Sequence, residues 1–147
     1  MNIRVTNKYD VSDICSLVTS LSHFYLKKGE WQLPNWFAET LTADAFLNRI
    51  QSEEYQNFVY EINGEIVCYL AIKGNSHLYH LFVSELHQGK GISRCLWDHA
   101  ITNCATEIYT LRSSMYAVPI YQKFGFEAIG EATEKDGIVF QVMELRV

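Results

Sequence analysis

Only two prolines and eight glycines interrupt the 147 residues, too few for the proline-rich or glycine-rich linkers that separate domains. No low-complexity stretch and no internal repeat is present. A chain of this length most simply forms one domain, residues 1–147, able to bury about two thirds of its unfolded surface. Apolar runs stay at strand length, far short of the roughly 20 residues that span a bilayer. The segment Met1 to Lys8 lacks the apolar stretch of a secretion signal. The expectation is a cytoplasmic protein without a membrane partner. The four cysteines, Cys15, Cys68, Cys95 and Cys104, are far apart and match no zinc spacing, so buried reduced thiols and no metal are expected. Cys95 and His99 stand four apart, which gives two ligands without a second pair.

Basic residues are also in deficit. Twelve Lys and Arg against 17 Asp and Glu give a formal net charge of −5, which makes a nucleic-acid backbone a repulsive partner and suits an amine better. Local cations such as Lys90 and Arg94 are what an anionic ligand would feel, whatever the net charge. What the chain does have is 48% hydrophobic and 14% aromatic residues, the composition of an ordered globular protein.

Periodicity divides the chain into elements. Ile3 to Val5 alternates as a short strand. Asp10 or Ser12 can cap a helix carrying Val11, Ile14, Leu17, Val18 and Leu21 at helical spacing. From Ser22 to Leu41 the pattern dissolves into a loop-rich helical connection with Phe24, Tyr25, Trp31, Trp36 and Phe37. Thr42 then caps a helix with Ala45, Phe46, Leu47 and Ile50 toward the core. Strands 57–62 and 65–73 flank Asn63-Gly64, which accepts positive φ at both positions and favours a two-residue hairpin. A strand from His77 to Val83 follows, then a helix from Ile92 to about Ala105, a strand 107–111, a short helix before Gly125, and a final pair, 127–131 with 138–145, around the turn Lys135-Asp-Gly137.

The most informative segment joins the fourth strand to the long helix. Gln88-Gly-Lys-Gly-Ile-Ser93 pairs two glycines, which permit backbone N–H groups to gather on one side, with the partly positive start of a helix. That is a cradle for pyrophosphate. Walker A fails because Lys90 is followed by Gly91 rather than a hydroxyl residue, and the dinucleotide fingerprint fails because Arg94 stands where its third glycine belongs. The pattern Gln-x-x-Gly-x-Gly/Ala fits, departing only at Ser93. A second patch, Ser113 to Phe126, carries Ala117, Tyr121, Gly125 and Phe126 in the pattern Ala-x-x-x-Tyr-x-x-x-Gly-Phe.

Together these patches resemble the GNAT superfamily of acetyl-CoA-dependent N-acetyltransferases, in motif detail over the last half of the chain and by element order over the first. The resemblance implies an α/β (α+β) fold, a mixed, mostly antiparallel central sheet with helices on both faces, in the order β-α-α-β-β-β-α-β-α-β-β. It implies acetyl-CoA as co-substrate, its pyrophosphate on Gln88, Gly89, Lys90, Gly91, Ile92 and Ser93, with a backbone N–H near Phe82 or Val83 meeting the thioester. Tyr121 takes the place of the general acid. Ser114 falls where a small polar residue neighbours the cofactor, though a helix cap explains a serine there equally well. His77 falls where some members carry a base, and its imidazole titrates in the useful range. His80 points to the opposite face unless a bulge intervenes, His23 lies in the connection, and a relayed water competes with all three. The implied acceptor is a small-molecule amine or a peptide or protein amine, with a homodimer left open. The competing function is a non-catalytic CoA-binding module on the same scaffold.

Overall fold

The structure is a computed structural model describing residues 2–21 and 35–147. Alternating residues at Asn2–Val5 form β1, and a single 3-10 turn leads into α1, Val11–Ser20. Asp10 starts this helix without capping it through its side chain. Its carboxylate instead takes both terminal nitrogens of Arg4 at 2.8 Å and the Asn7 N–H at 2.8 Å. Arg4, also bonded to Glu61, holds the Asp10 carboxyl below its ordinary range. The expected cap is thus a buried bidentate ion pair that ties β1 to the start of α1.

The aromatic connection enters the described residues as α2, Asn35–Ala38, followed by α3, Ala43–Gln51. Phe24, Tyr25, Trp31, His23, Gly29 and Pro34 lie outside the described residues. Thr42 Oγ1 accepts from Ala45 N at 3.1 Å, the N-cap bond that its hydroxyl predicts. Phe46 of α3 is buried as expected, with Ala45, Leu47 and Ile50 half-buried, but the other buried position of this helix is Arg49.

Eight strands form one sheet in the order β1-β2-β3-β4-β5-β8-β6, with β7 also on β8. They are β2 (Tyr55–Ile62), β3 (Glu65–Lys73), β4 (His77–Val83), β5 (Ile108–Ser114), β6 (Glu127–Ala128), β7 (Thr133–Lys135) and β8 (Ile138–Arg146). Every pairing is antiparallel except β4 with β5. Asn63 and Gly64, with φ of 52° and 78°, make the β2–β3 hairpin that the dipeptide predicts. The final strand pair differs from expectation. The run 127–131 breaks after Ala128, because Gly130 turns left-handed at φ 70° and buried Gln141 donates its amide to the Ile129 and Gly130 carbonyls. A side chain there replaces the ladder, and the hairpin closes on β7 instead.

β3 is buried from Ile66 to Ile72, since helices cover both its faces. On one face α1 and α3 set Ile14, Leu17, Val18 and Phe46 against Val59, Tyr69 and Ala71. On the other, α4 (Ile92–Asn103) and α5 (Val118–Lys123) set Leu96, Trp97, Ala100 and Tyr121 against Leu70, Ile72, Leu111 and Met143. Each such apolar side chain contributes roughly 1.5–3 kcal/mol on full burial, which fixes α4, and hence the loop before it, rigidly on the sheet. The cysteines are all free, but only Cys68 and Cys104 are buried; Cys95 is exposed on α4, and Cys15 is half-buried.

Candidate active site

The one parallel pair separates early. His77 faces Thr110 and Leu78 faces Leu111, and there the pairing of β4 with β5 ends, although β4 continues to Val83 and β5 to Ser114. Two strands that share a vertex and then part leave backbone edges facing each other across a gap, and a cavity of about 790 Å3 fills it. Ser84 N–H bonds the Val67 carbonyl at 2.8 Å. By strand alternation the Phe82 N–H also faces β3, while the N–H and carbonyl of Val83 face the gap. Of the two backbone donors expected near the thioester, Val83 therefore fits; Phe82 lines the cavity with its side chain.

At the wide end of the gap stands the glycine loop. Gly89 and Gly91 have φ of 74° and 78°, conformations that side chains rarely adopt, yet a Cβ added at either would meet nothing within 4 Å. Conformation, not packing, requires these glycines, and they leave open space over the start of α4. Gly91 begins α4 without a side-chain cap, so the first-turn N–H groups are available to an anion. Ile92 anchors the turn in the core, while Gln88, Ser93 and Arg94 line the cavity. Lys90 is exposed and lies outside the lining. The loop fits a phosphorylated ligand in both space and donors.

Neighbouring side chains fasten this end. Gln88 donates to the Val83 carbonyl at 3.2 Å and accepts from the Tyr116 hydroxyl at 2.8 Å, a link across the gap from the β4 side to the turn after β5. Arg94 donates to the Lys123 carbonyl at 3.0 Å and lies over the Phe124 ring. Ser114 lines the cavity, and its hydroxyl accepts from Ala117 N at 3.3 Å, so the helix-cap role is filled. Tyr121, 8% exposed, lines the cavity between the edges of Phe124 and Phe126. Burial pushes its phenol well above the ordinary 10, which keeps the proton on the oxygen.

At the vertex the histidines meet. β4 carries one extra residue there: Ala71 faces His80 and Ile72 faces Leu78, leaving Tyr79 bulged. The bulge brings His80 onto the α1–α3 face, beside Phe46 and Tyr69, with the ring of Tyr79 contacting both His77 and His80. His77 Nδ1 shares a 2.8 Å hydrogen bond with Thr110 Oγ1, leaving Nε2 for other work. Burial first, then Arg112 and Lys73, lower its pKa below 6.5. His80 is lowered further by burial and by Arg49, and its Nε2 has no partner among the described residues. Both imidazoles are neutral at pH 7.

Sequence reasoning passes over Arg112, Lys73 and Tyr116. All three line the cavity, but only the register of β5 against β4 brings Arg112 beside His77. The two segments expected to shape an acceptor site do meet: Trp36 Nε1 donates to Asp136 Oδ2 at 2.9 Å, and Lys135 sits over the Trp36 ring at 4.5 Å. Among the described residues no cluster of metal-ligating side chains occurs, and no helix is long and apolar enough to cross a membrane.

Comparison with known proteins places this geometry. The acetyltransferase (GNAT) domain model matches residues 24–147. No curated protein matches the chain. The PaiA N-acetyltransferase of Thermoplasma acidophilum, solved in complex with coenzyme A, superposes with a TM-score of 0.78 over 100% of both chains at 19% identity. A GCN5-related N-acetyltransferase from Rhodopseudomonas palustris gives 0.79 over 99% of this chain and 95% of that one, at 17% identity. The spermidine N-acetyltransferase SpeG of Vibrio cholerae, in a mutant form, gives 0.69 over 99% and 95%, also at 17% identity. At such identities the likeness is one of fold.

Proposed function

The chain belongs to the GNAT acetyltransferase family, and from that premise we propose that it transfers the acetyl group of acetyl-CoA to a primary amine, directly, in a ternary complex in the cytoplasm. The observation that carries the reading is the fork of β4 and β5, which opens at one end on an uncapped, glycine-started helix and closes at the other on a cluster of neutral histidines. Coenzyme A in the PaiA structure supports the choice of donor, and the spermidine acetyltransferase supports an amine as acceptor.

Acetyl-CoA supplies an acyl group already activated as a thioester. The amine nitrogen bonds to the carbonyl carbon and the carbon–sulfur bond breaks; the amine loses a proton and the sulfur gains one. The chain's residues meet these needs in turn. Loop residues Gln88 to Ser93 hold the phosphates, with Ser114 at the cleft wall. Val83 N–H, on the open edge of β4, donates to the acyl oxygen as negative charge develops there. Tyr121, kept protonated by burial, donates to the departing sulfur. His77, neutral and oriented by Thr110, accepts the amine proton directly or through one water. His80 is the second reading for that base, because the bulge turns it to the same face.

Thiol release from acetyl-CoA in the presence of an amine panel tests the proposal. The wild-type chain should release CoA only with an accepted amine, and Tyr121→Phe should lower that rate by roughly ten- to a thousandfold with cofactor affinity little changed. Cofactor binding without amine-dependent release would favour the non-catalytic module instead.

A further inference from the structure

The acceptor end of the cavity is electropositive in a protein of formal net charge −5. Among the described residues lining the cavity there is no aspartate or glutamate, whereas Lys73, Arg94, Arg112 and Lys123 are all present. Arg94 and Lys123 stand by the start of α4, where an anionic cofactor accounts for them. Arg112 and Lys73 do not belong there: they flank His77 at the vertex of the fork and depress its pKa.

The acids around this end already have partners, one of them Lys73 itself, which leaves Arg112 as the vertex cation without one among the described residues. Glu54 lies 3.9 Å from Lys73 Nζ, Asp136 accepts from Trp36, and Glu144 pairs with Arg146 at 2.8 Å. No carboxylate comes within ion-pair distance of Arg112 among the described residues, and its guanidinium lies over the Phe140 ring at 5.5 Å. Beneath the same face Arg49 is 7% exposed, bonded to the Thr40 carbonyl, set against Phe46 and Tyr79, and likewise without a carboxylate. His80, 8% exposed in the cavity wall, has no partner for its Nε2 among the described residues. Arg49 is a desolvated cation, which is costly without an anion, while Arg112 is exposed to the cavity and open to a ligand; a polycationic acceptor would meet repulsion from both.

We infer that the acceptor is an amine that also carries a carboxylate, an amino-acid-like molecule whose carboxylate binds Arg112. A guanidinium presents two parallel N–H donors that match a carboxylate. Trp36, Phe37, Tyr79 and Phe140 line the same space and suit an apolar or aromatic body. The inference rests on the acetyl-transfer reading for its chemistry, but the pocket it describes can be tested separately.

The test uses glycine, methionine and phenylalanine, each beside its carboxamide, with spermidine as the polycation. Carboxamides have the less basic amine and so more of the reactive free base; a pocket indifferent to the carboxylate would favour them. The expected result is the reverse, kcat/KM at least about tenfold higher for the acids. Arg112→Met, which keeps the stem over Phe140, should lower kcat/KM for the acids by roughly ten- to a hundredfold, the usual worth of a charged hydrogen bond. It should leave acetyl-CoA affinity unaffected and change kcat/KM for the carboxamides far less than for the acids. Arg112→Lys, keeping charge without the fork, should fall between. Calorimetric titration of the same compounds into CoA-saturated protein separates the two ideas. Acids bound through Arg112 but never acetylated would uphold the pocket and overturn acetyl transfer. Acetylation confined to carboxamides and spermidine, an equal loss for every amine in Arg112→Met, or acids that neither bind nor react would overturn the carboxylate assignment.

Discussion

The two ends of the fork are built from different materials. At the end proposed for the cofactor, the decisive groups are backbone: the Val83 N–H, the first turn of α4, and two left-handed glycines that keep the approach clear. At the acceptor end they are side chains brought from β3, β4, β5 and β8, among them Lys73, His77, Arg112 and Phe140. A backbone site tolerates variation in side chains so long as φ is preserved. A side-chain site changes its ligand with each substitution. One fold can therefore keep its donor while its acceptor changes, and the comparison predicts that the two ends respond independently to mutation.

The largest effect should come at the cofactor end. Gly91→Val forces a branched residue to φ 78° and puts its side chain into the space over the α4 N-terminus. Losing two charge-assisted hydrogen bonds, each worth roughly 1.5–3 kcal/mol, should weaken acetyl-CoA binding by roughly a hundredfold or more. Gly64 has the same φ of 78° in the β2–β3 turn, outside the cavity lining, and Gly64→Val imposes the same local strain. Calorimetry should show cofactor affinity lost in the first variant and kept in the second. Equal losses would mean that strain, not blockage, is what Gly91 avoids.

The same contrast explains which parts were legible in the sequence. The loop proposed for the cofactor spans a few consecutive residues, and its glycines, helix start and preceding strand are all local signals, so the strand–loop–helix geometry of Gln88 to Ser93 could be read directly; only the side of β4 on which each N–H falls, with Val83 rather than Phe82 facing the gap, awaited the register. The Asn63-Gly64 hairpin and the Thr42 cap are local for the same reason. The acceptor end joins residues far apart in the chain, His77 to Thr110 and Trp36 to Asp136, and no local pattern encodes such pairs. Strand alternation put His80 on the wrong face because a bulge at Tyr79 adds one residue to β4. Net charge suits an amine without saying which one, because a local potential is set by the nearest groups, and beside His77 those are Arg112 and Lys73. Asp10 reads as a cap until Arg4, six residues earlier on β1, claims its carboxylate.

At the acceptor end, His77→Ala should slow transfer by about tenfold or more while leaving acetyl-CoA affinity unchanged, the mirror image of Gly91→Val. With His77 as the proposed base, neutral imidazole is the active form, so the wild-type rate should rise with pH through the His77 titration. Burial, Arg112 and Lys73 move that limb below pH 6.5. With an amine that stays neutral throughout, the limb belongs to the enzyme, and His77→Ala should erase it. An unchanged limb at an unchanged rate would pass the role to His80 or to water.

The smallest effect is on stability and concerns His80. Its imidazole is buried and its pKa lies well below 6.5, first through desolvation and then through Arg49. Below pH 6.5 the unfolded chain therefore binds a proton that the folded chain refuses, and stability falls as pH falls. Above 6.5 both states are neutral and the contribution is flat. One proton corresponds to a slope of about 1.4 kcal/mol per pH unit. His77, shifted in the same direction but half-buried, adds less because solvent screens it. Asp10, held low by Arg4, acts in a separate window, where its stabilisation is lost only as pH falls below 3.8. His80→Phe keeps an aromatic ring beside Phe46 and Tyr69 and removes the proton site. Urea denaturation at a series of pH values between 6.5 and 5 should then give a shallower slope for the variant than for the wild type. Equal slopes would show that His80 takes up its proton in the folded state, which would require the bulge at Tyr79 to open the α1–α3 face to water.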